Sequence, residues 1–321
     1  MDPALFRSAT KQQLTDEHIR AICRRAFGSD PIEWSEAGEG QFNAAFYVTT
    51  GSGQKVVLKV APSVKTPVLR YERGMMGAEV EAMRLVASRT SLPLARVLYY
   101  DHAHDIVPGD WFFSNRMEGD SFFSPKEPLS EETKRHINRE VGAATKTIND
   151  IIGEGFGIFA DKNPASDWHT GFRKIVAGHL ADAKDVEMDL GFKPEELLSL
   201  IDKDKDLFNE VDKPHLVHWD LWSANVFVKD GELVGLIDFE RCLWGDPLME
   251  IGFRTFSIDP DFLEGYGRGP LDEHELRRAK WYDFYLLLIM AVEPAYRKYP
   301  DEGRQTRMAT EGMKKLLEEL K

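Results

Sequence analysis

The sequence is short of the residues that build disulfide frameworks and thiolate metal sites. Its 321 residues include only two cysteines, Cys23 and Cys242, which lie far apart and belong to no CxxC or Cys/His pattern. Disulfide-rich secreted domains and zinc sites need several such residues at fixed spacings. The sequence therefore argues against both classes of protein, and the compartment it predicts is a reducing cytoplasm.

Long hydrophobic runs are missing as well. The longest, at 284–292, is far shorter than the roughly 20 residues that a membrane-spanning helix needs. Residues 1–18 lack the basic start and apolar core of a secretory signal, and no internal repeat or low-complexity tract is visible. A membrane is accordingly not a predicted partner.

The chain also lacks an excess of positive charge, because its net charge is −13. Nucleic-acid binding depends on basic surface that meets phosphate, so this class of partner is not expected. The charge is uneven: residues 1–117 carry 14 Lys and Arg against 13 Asp and Glu, and the remainder carries 27 against 41. The acidic remainder would attract a cationic substrate. An acidic surface that only maintains solubility is an equal alternative.

No GxxxxGK[ST] sequence occurs, which excludes a P-loop. A glycine-containing turn at 38–43 instead lies between predicted strands at 32–37 and 45–50, and glycine lets backbone amides approach a phosphate closely. A third strand is predicted at 55–60, with Lys59 inside its apolar run VVLKV. A lysine in such a run is costly unless its ammonium meets an anion, which makes Lys59 a candidate ligand for a nucleotide phosphate. The alternative is an edge-strand lysine that reaches solvent.

The richest motif is HWDLWSANVFVKDGELVGLIDF, which places Asp220, Asn225 and Asp238 around two short apolar segments. An Asp-Gly pair between apolar runs is a β-hairpin signal, so folding would return Asp238 to Asn225. Phosphoryl transfer needs a group that orients or deprotonates the attacking hydroxyl, and oxygen ligands for divalent ions. Asp220 is suited to the first task, and Asn225 and Asp238 to the second. Three unrelated polar residues around a hairpin are the alternative.

This stretch resembles the catalytic and metal-binding loops of the aminoglycoside phosphotransferase family, small-molecule kinases that share the protein-kinase fold. DLWSAN is similar in particular to fructosamine-kinase-like members. The resemblance implies an α+β, two-lobed protein-kinase-like fold, with an antiparallel-sheet lobe for the nucleotide at 1–117 and a mainly helical lobe with the catalytic loop and acceptor site at 118–321. Two positions depart from the family's pattern: Trp219 stands where many members have glycine, and Glu250 where aspartate is common.

The resemblance also implies roles for individual residues. Asp220 would be the catalytic aspartate, and Asn225 and Asp238 would hold Mg²⁺. The implied nucleotide-binding residues are Lys59, its helix partner Glu79 (with Glu81 as the second choice), Gly38, Gly40 and Asn43 of the glycine turn, and Ser114, Asn115 and Arg116 of the hinge. The hinge would read the adenine edge through backbone groups, which do not distinguish ATP from GTP.

Helical signals dominate beyond residue 119. Ser130 is a predicted N-cap, Pro194 a first-turn residue, and Asp272 with Glu275 a capping-box pair. A last helix is predicted at 304–320. The aromatic side chains of Trp281, Phe284 and Tyr285 are expected to lie in the core rather than to bind a ligand.

Three polar residues near the motif are interpreted as supports rather than as reacting groups. His218 would orient the loop by hydrogen bonds, and Asp246 would brace it. Glu240 is expected to form an ordinary surface salt bridge, with a place in the acceptor pocket as the alternative.

Together these inferences predict Mg²⁺-dependent transfer of the nucleotide γ-phosphoryl group to a hydroxyl of a small, cationic molecule, as the resemblance to antibiotic phosphotransferases implies. One alternative is a metabolic kinase of the same fold that acts on a sugar, a ketosamine, choline or homoserine. Another is a nucleotide-binding regulator without catalysis. Protein-kinase activity is disfavoured because no activation-loop pattern ending in APE follows Asp238.

Overall fold

The computed structural model describes residues 8–38, 40, 42–252, 259–298 and 303–321. By their internal contacts, the residues form two compact units. Unit 1 contains 1–69, 95–117 and 293–303, and unit 2 contains 70–94, 118–292 and 304–321. Residues 70–94, which the resemblance implied for the first lobe, group with the mainly helical unit. Within the predicted turn at 38–43, residues 39 and 41 lie outside the described residues.

Unit 1 is built on an antiparallel sheet with the strand order β1-β2-β3-β5-β4. The strands are β1 (Glu33–Glu36), β2 (Ala44–Thr49), β3 (Lys55–Val60), β4 (Val97–Asp101) and β5 (Trp111–Asn115). Side chains of β2 alternate between buried and half-buried, as a sheet with one face on a core requires. Helix α1 (Asp16–Phe27) packs on that face, where Ile22 and Cys23 join Leu58 and Phe113 in the core. The strands predicted in this region are confirmed to within one residue at each end.

Unit 2 is mainly helical and carries two small antiparallel sheets, β10-β9-β6 and β7-β11-β8. The strands are β6 (Asp120–Ser121), β7 (Gly157–Ile158), β8 (His215–Val217), β9 (Val226–Lys229), β10 (Glu232–Leu236) and β11 (Leu243–Gly245). The remaining described helices of the chain are α2 (Met75–Arg89), α3 (Glu131–Asn149), α4 (Trp168–Asp185), α5 (Pro194–Lys203), α6 (Lys205–Phe208), α7 (Met249–Gly252), α8 (Pro260–Tyr266), α9 (Glu273–Arg297) and α10 (Arg304–Leu320). The predicted motif runs from the end of β8, through the β9–β10 hairpin, toward β11.

The predicted helix starts are confirmed by their caps. Ser130 Oγ accepts a hydrogen bond from Thr133 N at 3.1 Å, and Pro194 opens α5. Glu275 N donates to Asp272 Oδ1 at 2.8 Å, while Asp272 N donates to Glu275 Oε2 at 3.1 Å. These contacts satisfy backbone donors that the first turn of a helix leaves open.

Helices α3 and α8 approach each other closely at two glycines. A Cβ at Gly142 of α3 would lie 2.1 Å from the carbonyl oxygen of Phe262, and one at Gly265 of α8 would lie 1.9 Å from that of Arg139. The distance between packed helices depends on the side chains at their contact. The close approach of α3 and α8 is possible here because both positions are glycine. The contact fixes α3, whose last residue, Asn149, reaches the candidate site.

The helices of the described residues include none that is both long enough and apolar enough to cross a bilayer. The aromatic side chains of α9 lie in the core, as predicted, because Trp281, Phe284 and Tyr285 are each 1% exposed.

Candidate active site

The loop after β8 brings Asp220 and Asn225 together. Asn225 Nδ2 donates to Asp220 Oδ2 at 3.1 Å and to the Asp220 carbonyl oxygen at 2.8 Å. A 3₁₀ turn over Ser223–Asn225 tightens the chain between them. Because the amide nitrogen is used in this way, Asn225 Oδ1 is the atom that can ligate a cation.

Glu250 holds the start of this loop from α7. Its side chain is buried, and Oε1 accepts from His218 N at 2.6 Å while Oε2 accepts from Trp219 N at 3.2 Å. Asn149 Nδ2 also donates to Glu250 Oε1, at 3.3 Å. The carboxylate therefore fixes the peptide units 217–218 and 218–219, which lead into the loop.

His218 supports the loop by hydrogen bonds, as predicted. Its Nδ1 accepts from Asp220 N at 3.3 Å, and its Nε2 lies 3.2 Å from the carbonyl oxygen of Ile237. A carbonyl oxygen can only accept, so these partners define the tautomer with the proton on Nε2. The buried ring thus connects the catalytic loop to the residue before Asp238.

The predicted hairpin forms and returns Asp238 to Asn225. Strands β9 and β10 pair antiparallel, and Ile237 N donates to Asn225 O at 3.1 Å. The turn residues Asp230 and Gly231 have φ of 53° and 86°. Two left-handed residues in succession are what an Asp-Gly hairpin turn requires.

Asp238 belongs to a group of three carboxylates. One oxygen from each of Glu79, Asp238 and Glu240 lies within 4.8 Å of the other two. Glu79 of α2 is 1% exposed. Carboxylate oxygens suit Mg²⁺, so this group offers donors that fit the ion, and ligation of Mg²⁺ by Asn225 stays a prediction. Glu240 thus lies beside Asp238 as a further acidic group, which was part of the alternative to the surface salt bridge expected for it, and its place in the acceptor pocket stays a prediction.

Cys242 is buried close to these carboxylates. Burial raises the pKa of its thiol well above the ordinary value, and the charges of Glu250, Glu79, Asp220 and Asp238 raise that pKa further. A thiol of high pKa stays protonated at neutral pH and is a poor nucleophile. Cys242 is therefore not a reacting group of this site.

Asp246 braces the segment that follows the motif, while its predicted support of the catalytic loop itself stays a prediction. Its Oδ2 accepts from Tyr282 Oη at 2.7 Å and from Arg278 Nε at 3.0 Å, and its Oδ1 accepts from Leu248 N at 3.0 Å. Burial raises the pKa of Tyr282, and the Asp246 charge adds to that effect. These contacts tie the residues before α7 to α9.

Trp219, directly before Asp220, occupies a strained backbone position. Its φ is 58°, in the left-handed region, where a residue with a Cβ costs roughly 1–2 kcal/mol and glycine has no such cost. The indole is 2% exposed and stacks on Tyr285 with 4.8 Å between ring centroids. The positive φ thus explains why glycine suits this position, and the indole that stands there instead is buried against Tyr285.

The nucleotide-binding residues predicted for the first lobe, apart from Glu79, lie in unit 1. Lys59 pairs with Ala45 on one side and Phe112 on the other, so it is on a central strand. The alternative of an edge-strand lysine is therefore wrong. The Lys59 Nζ lies 5.9 Å from the centroid of the Phe112 ring.

The glycine turn lies between β1 and β2, where it was predicted. Gly40 has φ of 85°, which a residue with a Cβ rarely adopts, and Asn43 is 7% exposed. Between them, the carbonyl oxygen of Phe42 accepts from Thr10 Oγ1 at 3.0 Å. Gly38, Gly40 and Asn43 therefore lie in the loop between β1 and β2, and phosphate binding by this loop stays a prediction.

The predicted hinge residues follow the centre of β5. Ser114 is buried in the sheet, Asn115 N donates to the carbonyl oxygen of Arg96 at 3.2 Å, and Arg116 N donates to that of Lys55 at 3.3 Å. These two amides complete the sheet. Backbone recognition of adenine here would therefore use carbonyl groups or an amide further along the chain.

Two supports of the site were not predicted from the sequence as supports. The only signal at Glu250 is its departure from the aspartate that is common at this position. Nothing in the sequence marks Asn149, whose Nδ2 donates to Leu216 O at 2.7 Å and so ties α3 to β8.

A sequence profile of the phosphotransferase enzyme family matches residues 33–282. An aminoglycoside 3'-phosphotransferase from Enterococcus faecalis is 26% identical over 233 residues, which cover 70% of this chain and 80% of that protein. A probable ketoamine kinase from Staphylococcus aureus is 30% identical over 145 residues, which cover 42% of this chain and about half, 49%, of that protein.

The solved structure of a thermostable mutant of the aminoglycoside phosphotransferase APH(4)-Ia, in ternary complex with ADP and hygromycin B, is also similar. Its TM-score is 0.65 at 19% identity, over 94% of this chain and 98% of that one. This likeness confirms the predicted two-lobed, protein-kinase-like α+β fold. The match of the family profile over most of the sequence confirms the predicted family. The chain therefore belongs to the phosphotransferase enzyme family and is a small-molecule kinase.

Proposed function

We propose that this chain transfers the γ-phosphoryl group of ATP to a hydroxyl of a small molecule, with Mg²⁺ as cofactor. The observation that carries the proposal is the 3.1 Å contact between Asp220 and Asn225, beside a hairpin that returns Asp238 to Asn225. The ADP bound in the related APH(4)-Ia complex supports an adenine nucleotide, although the hinge residues would accept GTP by the same backbone groups. The two buried cysteines suit a reducing cytoplasm as the place of action.

Asp220 would aim the attacking hydroxyl and accept its proton on a carboxylate oxygen, while the Asn225 amide keeps that carboxylate in place. Mg²⁺ bound by Asn225 Oδ1 and Asp238 would neutralise charge on the phosphates. Lys59 would bind the α- and β-phosphates, and its pairing with Glu79 stays a prediction. Catalysis would come mainly from positioning and charge, since the chain needs to supply little covalent chemistry.

A cationic acceptor is favoured by charge. The residues after 117 carry 27 Lys and Arg against 41 Asp and Glu, and Glu240 adds a carboxylate beside Asp238. An ammonium group would be attracted to such a region. An aminoglycoside-type antibiotic is the first candidate, in line with the Enterococcus relative, and the role would then be resistance. A ketosamine kinase is the second, favoured by the 30% identity to the Staphylococcus relative.

Asp220→Asn tests the proposal. We expect turnover to fall by about 10²- to 10⁴-fold, because the amide cannot accept the hydroxyl proton, with ATP affinity nearly unchanged. Turnover is measured as ADP release, and affinity by calorimetry with a non-hydrolysable ATP analogue. Wild-type turnover in this variant would reject the assigned mechanism.

To identify the acceptor, the protein is incubated with ATP and each member of a panel of aminoglycosides, ketosamines, sugars, choline and homoserine, and transfer of phosphate to the compound is measured. Asp220→Asn serves as the blank. Phosphate on an aminoglycoside, with resistance in a sensitive host, supports the first candidate. Phosphate on a ketosamine alone supports the second.

A further inference from the structure

Four rings in unit 2 contact one another in succession, and we call them the aromatic column: Trp219, Tyr285, His179 and Tyr71. Trp219 stacks on Tyr285 at 4.8 Å with 16° between the ring planes. Tyr285 meets His179 edge-on at 5.1 Å, and His179 stacks on Tyr71 at 5.0 Å. Offset-stacked and edge-on rings at these distances attract each other beyond the effect of their burial.

The column ends beside three parts of the candidate site. At one end, Trp219 directly precedes Asp220. At the other, Tyr71 lies just before α2, the helix that carries Glu79. The guanidinium of Arg241, which follows the Asp238 and Glu240 pair, lies 6.0 Å from the centroid of the Tyr71 ring.

The Tyr71 end is anchored to α4. Arg70 N donates to Asp182 Oδ2 at 3.1 Å, and the Arg70 guanidinium contacts the carboxylates of Asp182 and, at 2.8 Å, Asp185. Asp182 is 1% exposed and lies one turn beyond His179 on the same helix. The column therefore runs from a fixed end at α4 to the strained residue at the catalytic loop.

Hydrophobic packing alone does not require a tryptophan at position 219. Its φ of 58° favours glycine, and many core positions accept an indole without strain. A strained conformation persists only where its surroundings hold it, and such residues cluster at functional sites. Here rotation of the backbone to a relaxed φ would withdraw the indole from Tyr285 and move the peptide that leads into Asp220.

We propose that the aromatic column sets the position of Asp220, and that Trp219 is a positioning residue for phosphoryl transfer. Trp219 acts through its peptide bond to Asp220. On its other side, the Trp219 N–H donates a hydrogen bond to Glu250 Oε2. The inference rests on the proposed function, because the group being positioned is the one assigned to accept the hydroxyl proton.

Trp219→Gly separates the ring from the backbone, because glycine adopts the same φ without strain but leaves Tyr285 unstacked. We expect kcat for Mg²⁺-dependent ATP turnover to fall by about 100-fold, the effect of a misplacement of about 1 Å, with an unchanged KM for ATP. Turnover onto water, followed as ADP release, needs no acceptor. Trp219→Phe, which restores an aromatic ring, should recover part of the kcat.

Tyr285→Leu removes the contact from the other side. We expect a similar loss of kcat, and the double variant with Trp219→Gly should be no slower than Trp219→Gly alone, since both changes remove one contact. Tyr99→Leu is the matched control, because Tyr99 stacks on Trp111 at 5.3 Å and 13° in unit 1. Its kcat should stay at the wild-type value.

A folded Trp219→Gly protein with wild-type kcat overturns the inference, and so does a loss of kcat that Tyr99→Leu shares. If Trp219→Gly does not fold, Tyr285→Leu takes its place in the test. The inference then fails if Tyr285→Leu has wild-type kcat, or if Tyr99→Leu loses kcat as well. The proposed function fails separately, if Asp220→Asn keeps its turnover. An inactive Asp220→Asn beside a fully active Trp219→Gly rejects the aromatic column alone.

Discussion

Glu250 is the side chain whose contribution to the catalytic loop is easiest to isolate. It accepts N–H groups from His218, Trp219 and Asn149, all within 3.3 Å. Removal of a partner costs about 1–3 kcal/mol for each buried donor left unsatisfied. For Glu250→Ala we therefore expect the free energy of unfolding to fall by about 3 kcal/mol or more, measured by urea denaturation, with a lower kcat.

Glu250→Asp provides the graded control. It keeps the charge and both oxygens on a side chain one methylene shorter, and the family resemblance indicates aspartate as common at this position. We expect a smaller loss of stability and of kcat than in Glu250→Ala. Equal losses in both variants would show that the length of the side chain, rather than its charge and acceptor oxygens, sustains the loop.

Single residues were predictable where spacing is local. The placement of Asp238 beside Asn225 followed from an Asp-Gly turn between two apolar runs, and the structure confirms it. The bond between Glu250 and His218 spans 32 positions and ends on a backbone amide. Any sequence has an amide at each non-proline position, so no residue type marks such a contact in advance.

At the scale of elements, the crossing of α3 and α8 depends on the absence of side chains. A Cβ at Gly142 would lie 2.1 Å from the carbonyl oxygen of Phe262, so one helix must move. We expect Gly142→Ala to lower the free energy of unfolding by about 1–3 kcal/mol or more, as overpacking does, measured by thermal and urea denaturation.

Gly178 of α4 is the matched control, because a Cβ there would meet nothing within 4 Å. Gly178→Ala should raise the free energy of unfolding by about 0.5–1 kcal/mol through the lower helix propensity of glycine. If both variants were stabilised, the close crossing of α3 and α8 would not exist in solution.

Helices and strands were predictable because the rules for them are local. The order of the strands in the sheet was not predictable. The strand at 55–60 and the helix at 304–320 agree with the structure because alternation and helical periodicity depend on neighbouring residues. The position of β5 between β3 and β4 depends on pairing between distant segments. It decides that Lys59 is central in the sheet, which the strand pattern alone left open.

At the scale of the whole molecule, a nucleotide that binds only the folded chain must stabilise it. At a free concentration of 100 times Kd, ATP with Mg²⁺ should add about 2.7 kcal/mol, seen as a rise in Tm. In Asp238→Asn we expect the part of this rise that depends on Mg²⁺ to disappear and the part seen with EDTA to remain. A rise with Mg²⁺ as large as in the wild type would contradict the assignment of Asp238 as a metal ligand.

The grouping of residues 70–94 with the helical unit was beyond sequence reasoning. These residues follow the sheet strands in the chain, and the family resemblance placed them with the sheet. Their anchors, the bonds from Arg70 to Asp182 and the stacking of Tyr71 on His179, join segments more than 100 positions apart. Such contacts become visible only when the chain is folded.

Both cysteines are buried, and burial raises the pKa of Cys23 to about 11 and also raises the pKa of Cys242 well above its usual range. Thiols of this kind react slowly with maleimides and methanethiosulfonates. The native chain is therefore ready for site-directed spin labelling without prior replacement of its own thiols. A cysteine introduced at an exposed position in each unit would carry a nitroxide, and dipolar spectroscopy could follow the distance between the two labels as nucleotide is added.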